Sequence, residues 1–129
     1  MATEFPFVTG EVLTAAAMNT LVAFDVTADK TVDYTAVIAD QYQQLISMNK
    51  ATAVAFKIPT NASVAFAVGT VITVLNKGAG TCTISAVTSG TTTVLSAGAV
   101  TASPTLGQYK TAACIKTATD TWYVVGAIG

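Results

Sequence analysis

From Thr35 onward the chain is cut into short runs of apolar and hydroxyl-bearing residues by turn signals, a punctuation that suits strands and leaves no room for helices. "TAVIA" and "QLISMN" flank a turn at Asp40 to Tyr42, and "TAVAFKI" stops at Pro59, which has no N–H to give to a ladder. "TVITVLN" and "TCTISAV" flank "KGAG", a glycine-rich connection of hairpin length. "GTTTVLS" leaves a turn at Ser89 and Gly90, and "AGAVTASPTLG" reads as an irregular loop around Pro104. The last two strands, "QYKTAACIK" and "TWYVVGAI", are joined by "TATD". Roughly seven to eight strands, with turn signals about every 8–12 residues, predict an antiparallel β-sandwich or a small barrel. No internal repeat stands out.

The alternation within these runs assigns faces. Cys82, Ile84 and Ala86 alternate with Thr81, Thr83 and Ser85, so one side of that strand goes to a core. In "TVITVLN", Val71 and Leu75 occupy one face and Ile72 and Val74 the other, which predicts burial on both sides. Trp122, Val124 and Ile128 share a face, opposite Tyr123 and Val125. Cys82 and Cys114 match no zinc or redox spacing and read as two small buried apolar residues, with a disulfide between them as the alternative.

Ahead of the strands, "FPFVTGEVLTAAAMNTLVAF" is the one segment with a helix start signal. Thr14 is placed as an N-cap, and Leu13, Ala17, Leu21 and Phe24 fall on one side of the helix that follows. Isolated helices shorter than about 12–15 residues rarely persist in water, so this one has to dock, on its own domain's β core or on a neighbouring subunit or capsid. Phe5 to Val12 reads as an extended arm, and Phe5, Phe7, Val8, Leu13, Met18, Leu21 and Phe24 are the candidate partner contacts. Residues 1–33 thus form an arm, a short helix and a linker, and residues 34–129 the β domain. The linker gathers Asp25, Asp29 and Asp33, which lack the glycine and the closing glutamate of a calcium loop and read as a solvated stretch.

The side-chain inventory excludes most chemistry. There is no histidine and no arginine among the 129 residues, which removes Ser-His-Asp, Cys-His and His-metal arrangements and the bidentate readers of phosphate and guanine. The remaining acids, lysines and tyrosines converge in no catalytic pattern, so neither an enzyme nor a cofactor or metal site is expected, and no nucleic-acid partner. "NKGAG" lacks the ending of a phosphate loop, and "NAS" at Asn61 is only a formal glycosylation acceptor. The apolar run "VAFAVGTVITVL" falls short of the roughly 20 residues of a membrane span, and no secretory signal is read at the amino terminus.

Charged residues make up 10% of the chain, against about 25% in ordinary domains, and none lies between Gly78 and Tyr109. Single-chain sheets guard their edges with Lys, Glu or Pro. Where that device is absent over several strands, edges or faces are expected to be covered by other subunits.

The order "LISMNKATAVAFKIPTNASVAFAVGTVITVLNKGAGTCTISA", then "TTTVLS", then "GQYKTAACIKTATDTWYVVG" resembles a small β-rich domain of virion proteins in tailed bacteriophages. Ile58-Pro59, the Phe66 to Thr70 "FAVGT", the Gly78-Ala79-Gly80 turn, Gly107-Gln108-Tyr109 and Asp120-Thr121-Trp122 carry the resemblance. The amino-terminal pattern F-x-x-G-x-x-L-T-A-A-x-M-N, from Phe7 to Asn19, is similar to the opening of many phage tail-fibre and other virion proteins. The resemblance implies a non-enzymatic structural component of the virion, commonly a homotrimer. A chain this short has neither shaft nor receptor-binding tip, which points to a capsid decoration or cement protein bound to the major capsid protein on the head surface, or to the base of a head fibre, rather than to a complete fibre. A tail-fibre or adhesin module that recognises host surface glycan, through the Thr-rich face and Trp122 or Tyr123, is the alternative.

Overall fold

The computed structural model describes residues 25–41, 44–96 and 103–128. The predicted arm and helix, with all seven candidate partner contacts from Phe5 to Phe24, lie outside the described residues. The regular structure among the described residues is almost entirely strand: β1 (Asp25–Val26), β2 (Tyr34–Thr35), β3 (Gln44–Met48), β4 (Val54–Ile58), β5 (Val71–Asn76), β6 (Cys82–Ala86), β7 (Thr93–Ser96), β8 (Thr105–Leu106), β9 (Lys110–Ala118) and β10 (Thr121–Gly126). A single turn of 3-10 helix, Ile38–Gln41, takes the second half of the expected "TAVIA" strand.

The strands form two open sheets, neither closed into a barrel. The first is ordered β1-β3-β5-β9-β10-β7 and the second β2-β4-β6-β8. The expected antiparallel pairing is corrected to a mixed one. β1 with β3, β3 with β5, β2 with β4, β4 with β6 and β7 with β10 run parallel, whereas β9 lies antiparallel to both β5 and β10, and β8 to β6.

The reason lies in the chain path. From β1 to β6 successive strands alternate between the two sheets, each lying parallel on the strand two before it, the course of a short solenoid. "KGAG" is therefore a corner between sheets rather than a hairpin turn. Leu45 pairs with Thr73 in one sheet and Val54 with Cys82 in the other, the same offset in both, so one whole coil stacks on the next. The expected hairpin across "TATD" does form, as β9 and β10. Its turn holds Asp120 at a φ of 56°, a left-handed conformation that aspartate tolerates better than most residues.

The inward residues of both sheets belong to one core: Ile46, Met48, Ile72, Val74, Cys114, Trp122 and Val124 from the first, Val54, Phe56, Ile58, Cys82, Ile84 and Leu106 from the second. Trp122 meets Phe66 edge to face, with ring centroids 5.5 Å apart. Both cysteines are buried free thiols, as the alternation predicted. Burial pushes the Cys82 thiol up to about 11 and the Cys114 thiol up to about 12, so neither is poised to react.

Candidate interaction surface

The two sheets carry very different outer faces. On the second, the register sets Thr35 beside Lys57 and Ser85, and Ala55 beside Thr83 and Thr105, a small polar surface. Lys57 there lies 4.0 Å from Asp33, an exposed ion pair. On the first sheet one row runs Val71, Ile115, Tyr123, Leu95, and the next runs Leu45, Thr73, Ala113, Val125. No outward position of β3, β5, β7, β9 or β10 holds a charged residue.

Part of this apolar face stands in solvent. Val71 is 42% exposed, Tyr123 44% and Val125 49%, although the sequence predicted that β5 would be buried on both sides. Ile72 and Val74 meet that expectation on the inner face; the outer one has no cover among the described residues. At the end of the sheet, where β7 stops, a recess of about 340 Å³ is lined by Ser96, Tyr123, Val124, Val125, Gly126 and Ile128, residues of both faces.

Charge is gathered at the corners instead. Asp29 of the first coil accepts hydrogen bonds from Ser47 Oγ at 2.8 Å, Asn49 Nδ2 at 2.9 Å and Lys77 Nζ at 3.0 Å. These bonds, the Asn49 bond foremost, hold its carboxyl down at about 2. The acids read as solvated linker thus make specific ties: Asp29 to the next two coils, and Asp33 to the Ala55 N–H of β4.

The corners themselves are tightly stacked. A Cβ on Gly78 or Gly80 would meet the carbonyl of Lys50 or Thr52, the residues one coil below. Asn76, fully buried, fixes the same corner: its Nδ2 donates to the carbonyls of Gly80 and Leu106, and its Oδ1 accepts from the Gly78 N–H. Lys30 crosses above the Tyr34 ring, 4.5 Å from its centroid.

Two charged side chains are buried among the described residues, Asp40, which accepts from the Tyr34 hydroxyl at 2.7 Å and the Val37 N–H at 2.9 Å, and Lys116. Lys116 is 2% exposed and donates to Asn61 Oδ1 at 2.6 Å and to the Phe66 carbonyl at 2.7 Å. Asp120 holds the same loop, accepting from the Asn61 N–H at 2.7 Å. Lysine is read as a surface residue in a sequence, yet Lys116 has the parity of the buried Ala112 and Cys114, and that parity is the signal for its position.

Among the described residues no cluster of three or more His, Cys, Asp or Glu could hold a metal, and no helix is long and apolar enough to cross a membrane. Trp122 is buried at 1% exposure, so it cannot stack on a sugar; Tyr123 can be reached from solvent. No family model matches the chain, and neither a curated protein nor a solved structure is significantly similar to it. The geometry offers a surface for association and no convergent set of reacting groups among the described residues.

Proposed function

We propose that this chain is a structural component of a tailed-phage virion: a capsid decoration protein, trimeric, seated on the outside of the head shell and cementing the major capsid protein beneath it. Its two mixed sheets face one another as a β-sandwich. The observation that supports this reading best is the outer face of the first sheet, uncharged across five strands and carrying Val71, Ile115, Tyr123, Leu95 and Val125 among threonines, while the second sheet's outer face carries Lys57. A face of that kind is costly to leave in water and is characteristic of association surfaces. The resemblance of the "FAVGT", "KGAG" and "DTW" segments and of the amino-terminal pattern to virion proteins supplies the setting.

The mechanism is interface burial. At about 25 cal/mol per Å² of apolar area, a standard interface retains several kcal/mol after the costs of association, and copies joined in one oligomer add avidity on a repeating shell. The glycan-binding alternative is weakened by the burial of Trp122 and rests on Tyr123, whose neighbours on the face are hydroxyls and aliphatic groups. Purified protein added to heads lacking it is expected to bind them and to raise the temperature at which they open. Binding to host polysaccharide with none to heads would reverse the choice.

A further inference from the structure

We infer that the outer face of the six-stranded sheet is where copies of this chain meet, with Val71, Tyr123 and Val125 at the contact. The inference rests on the reading of the chain as an assembly component and names the partner for this one face.

Charge selects the occupant. Nucleic acid needs cations, and the outward positions of β3, β5, β7, β9 and β10 have none. A charged protein partner would lose solvent from its ions on this face with nothing to pair them. Glycan recognition calls for amides or carboxylates around the aromatic ring, and those positions offer threonine and serine hydroxyls. A second copy is matched by construction, since both faces are apolar and neither brings an ion to be desolvated. Lys57 with Asp33 stays in water on the opposite sheet, and Asp29 with Lys77 lies at the margin of the face, over Ser47 of β3.

Size and shape agree. Strands about 4.8 Å apart with about 3.3 Å per residue give a plate on the order of 500 Å² on each copy, so two plates reach roughly 1,000 Å², where specific interfaces begin. The face carries a projecting aromatic, Tyr123, with Val71 and Val125 exposed on the same side.

The full chain is to be measured by sedimentation velocity and light scattering across about 1 to 100 µM, the range that separates weak interfaces of this size from stable ones. A mass that is a whole multiple of 13.1 kDa is expected. Val125→Asp and Tyr123→Lys, each checked for folding by circular dichroism, are expected to weaken assembly by about 30-fold or more, the scale of an interface hot spot. Lys57→Glu on the other sheet is expected to leave it unchanged. A monomer throughout the range, or an oligomer indifferent to both face substitutions, overturns the inference. A monomer that still binds heads sinks this inference and spares the proposed function; an oligomer held by this face that ignores heads does the reverse.

Discussion

Lys116 and Asn61 show how much a single buried pair can decide. Lys116 is enclosed beneath the loop that carries Asn61 and Phe66, and the two acceptors it reaches are neutral oxygens. Removing one strands a buried cation, whereas removing the cation itself can be nearly neutral. Asn61→Ala is therefore expected to cost about 2–3 kcal/mol, the scale of a hydrogen bond to a charged group, and in a Lys116→Met background less than about 1 kcal/mol. Urea denaturation of the four proteins measures both values; an equal cost in the two backgrounds would contradict the account. Asp29 yields a prediction in pH. Its carboxyl is lowered from the ordinary 3.8 to about 2 in the folded chain, so its contribution is complete above the unfolded value and is lost as pH falls through the folded one. The stability gap between the wild type and Asp29→Asn is expected to hold at neutral pH and to close between about pH 4 and pH 2, with an unchanged gap at acid pH as the contrary result. Alternation placed Trp122, Cys82 and Cys114 in the core correctly, because apolar identity and parity agree there. At Lys116 the two conflict, and parity prevails because Asn61 and Phe66 provide acceptors.

The elements were legible where pairing is local and misread where it is not. The β9–β10 hairpin follows from its own short turn, but the β5–β6 hairpin does not form, because the glycines of "KGAG" serve a different purpose. Gly78 and Gly80 lie against the backbone of Lys50 and Thr52, and a tight hairpin and a stacked corner ask for the same residue type. Only the coil below tells them apart. That coil is hidden from identity: across the paired segments Ile46 stands opposite Val74, Val54 opposite Cys82 and Phe56 opposite Ile84, alike in apolar character and parity but not in residue. Gly78→Ala and Gly80→Ala are each expected to cost more than about 2 kcal/mol, since backbone would have to move to admit a methyl. Gly90, with nothing near its Cβ position, is the control; its alanine variant is expected to stay within about 0.5 kcal/mol in the same denaturant titration. If all three glycines behave alike, the corners are not stacked as described.

At the scale of the whole molecule, the low charge of the sequence and the asymmetry of the two sheets are one fact seen twice. The expectation of cover over the charge-free stretch came from a deficit of charge, and composition cannot say which face would take such cover: β6 and β8 of that stretch lie in the second sheet and β7 in the first, and it is the register that aligns Val71, Ile115, Tyr123 and Leu95 across four strands. On the proposed reading, stability is shared between the fold and its assembly. A protein whose native state is held partly by association unfolds at a temperature that rises with protein concentration, because mass action favours the assembled form. Calorimetry of the wild type across a hundredfold range of concentration, about two decades of mass action, is expected to show this rise. The Val125→Asp variant, with its face closed to a neighbour, is expected to melt at one temperature throughout and to lie below the wild type by more at high concentration than at low. A wild type whose melting temperature ignores concentration would mean that the apolar face contributes nothing to stability through association, and that its exposed valines and tyrosine are tolerated by the single chain at their full cost in water.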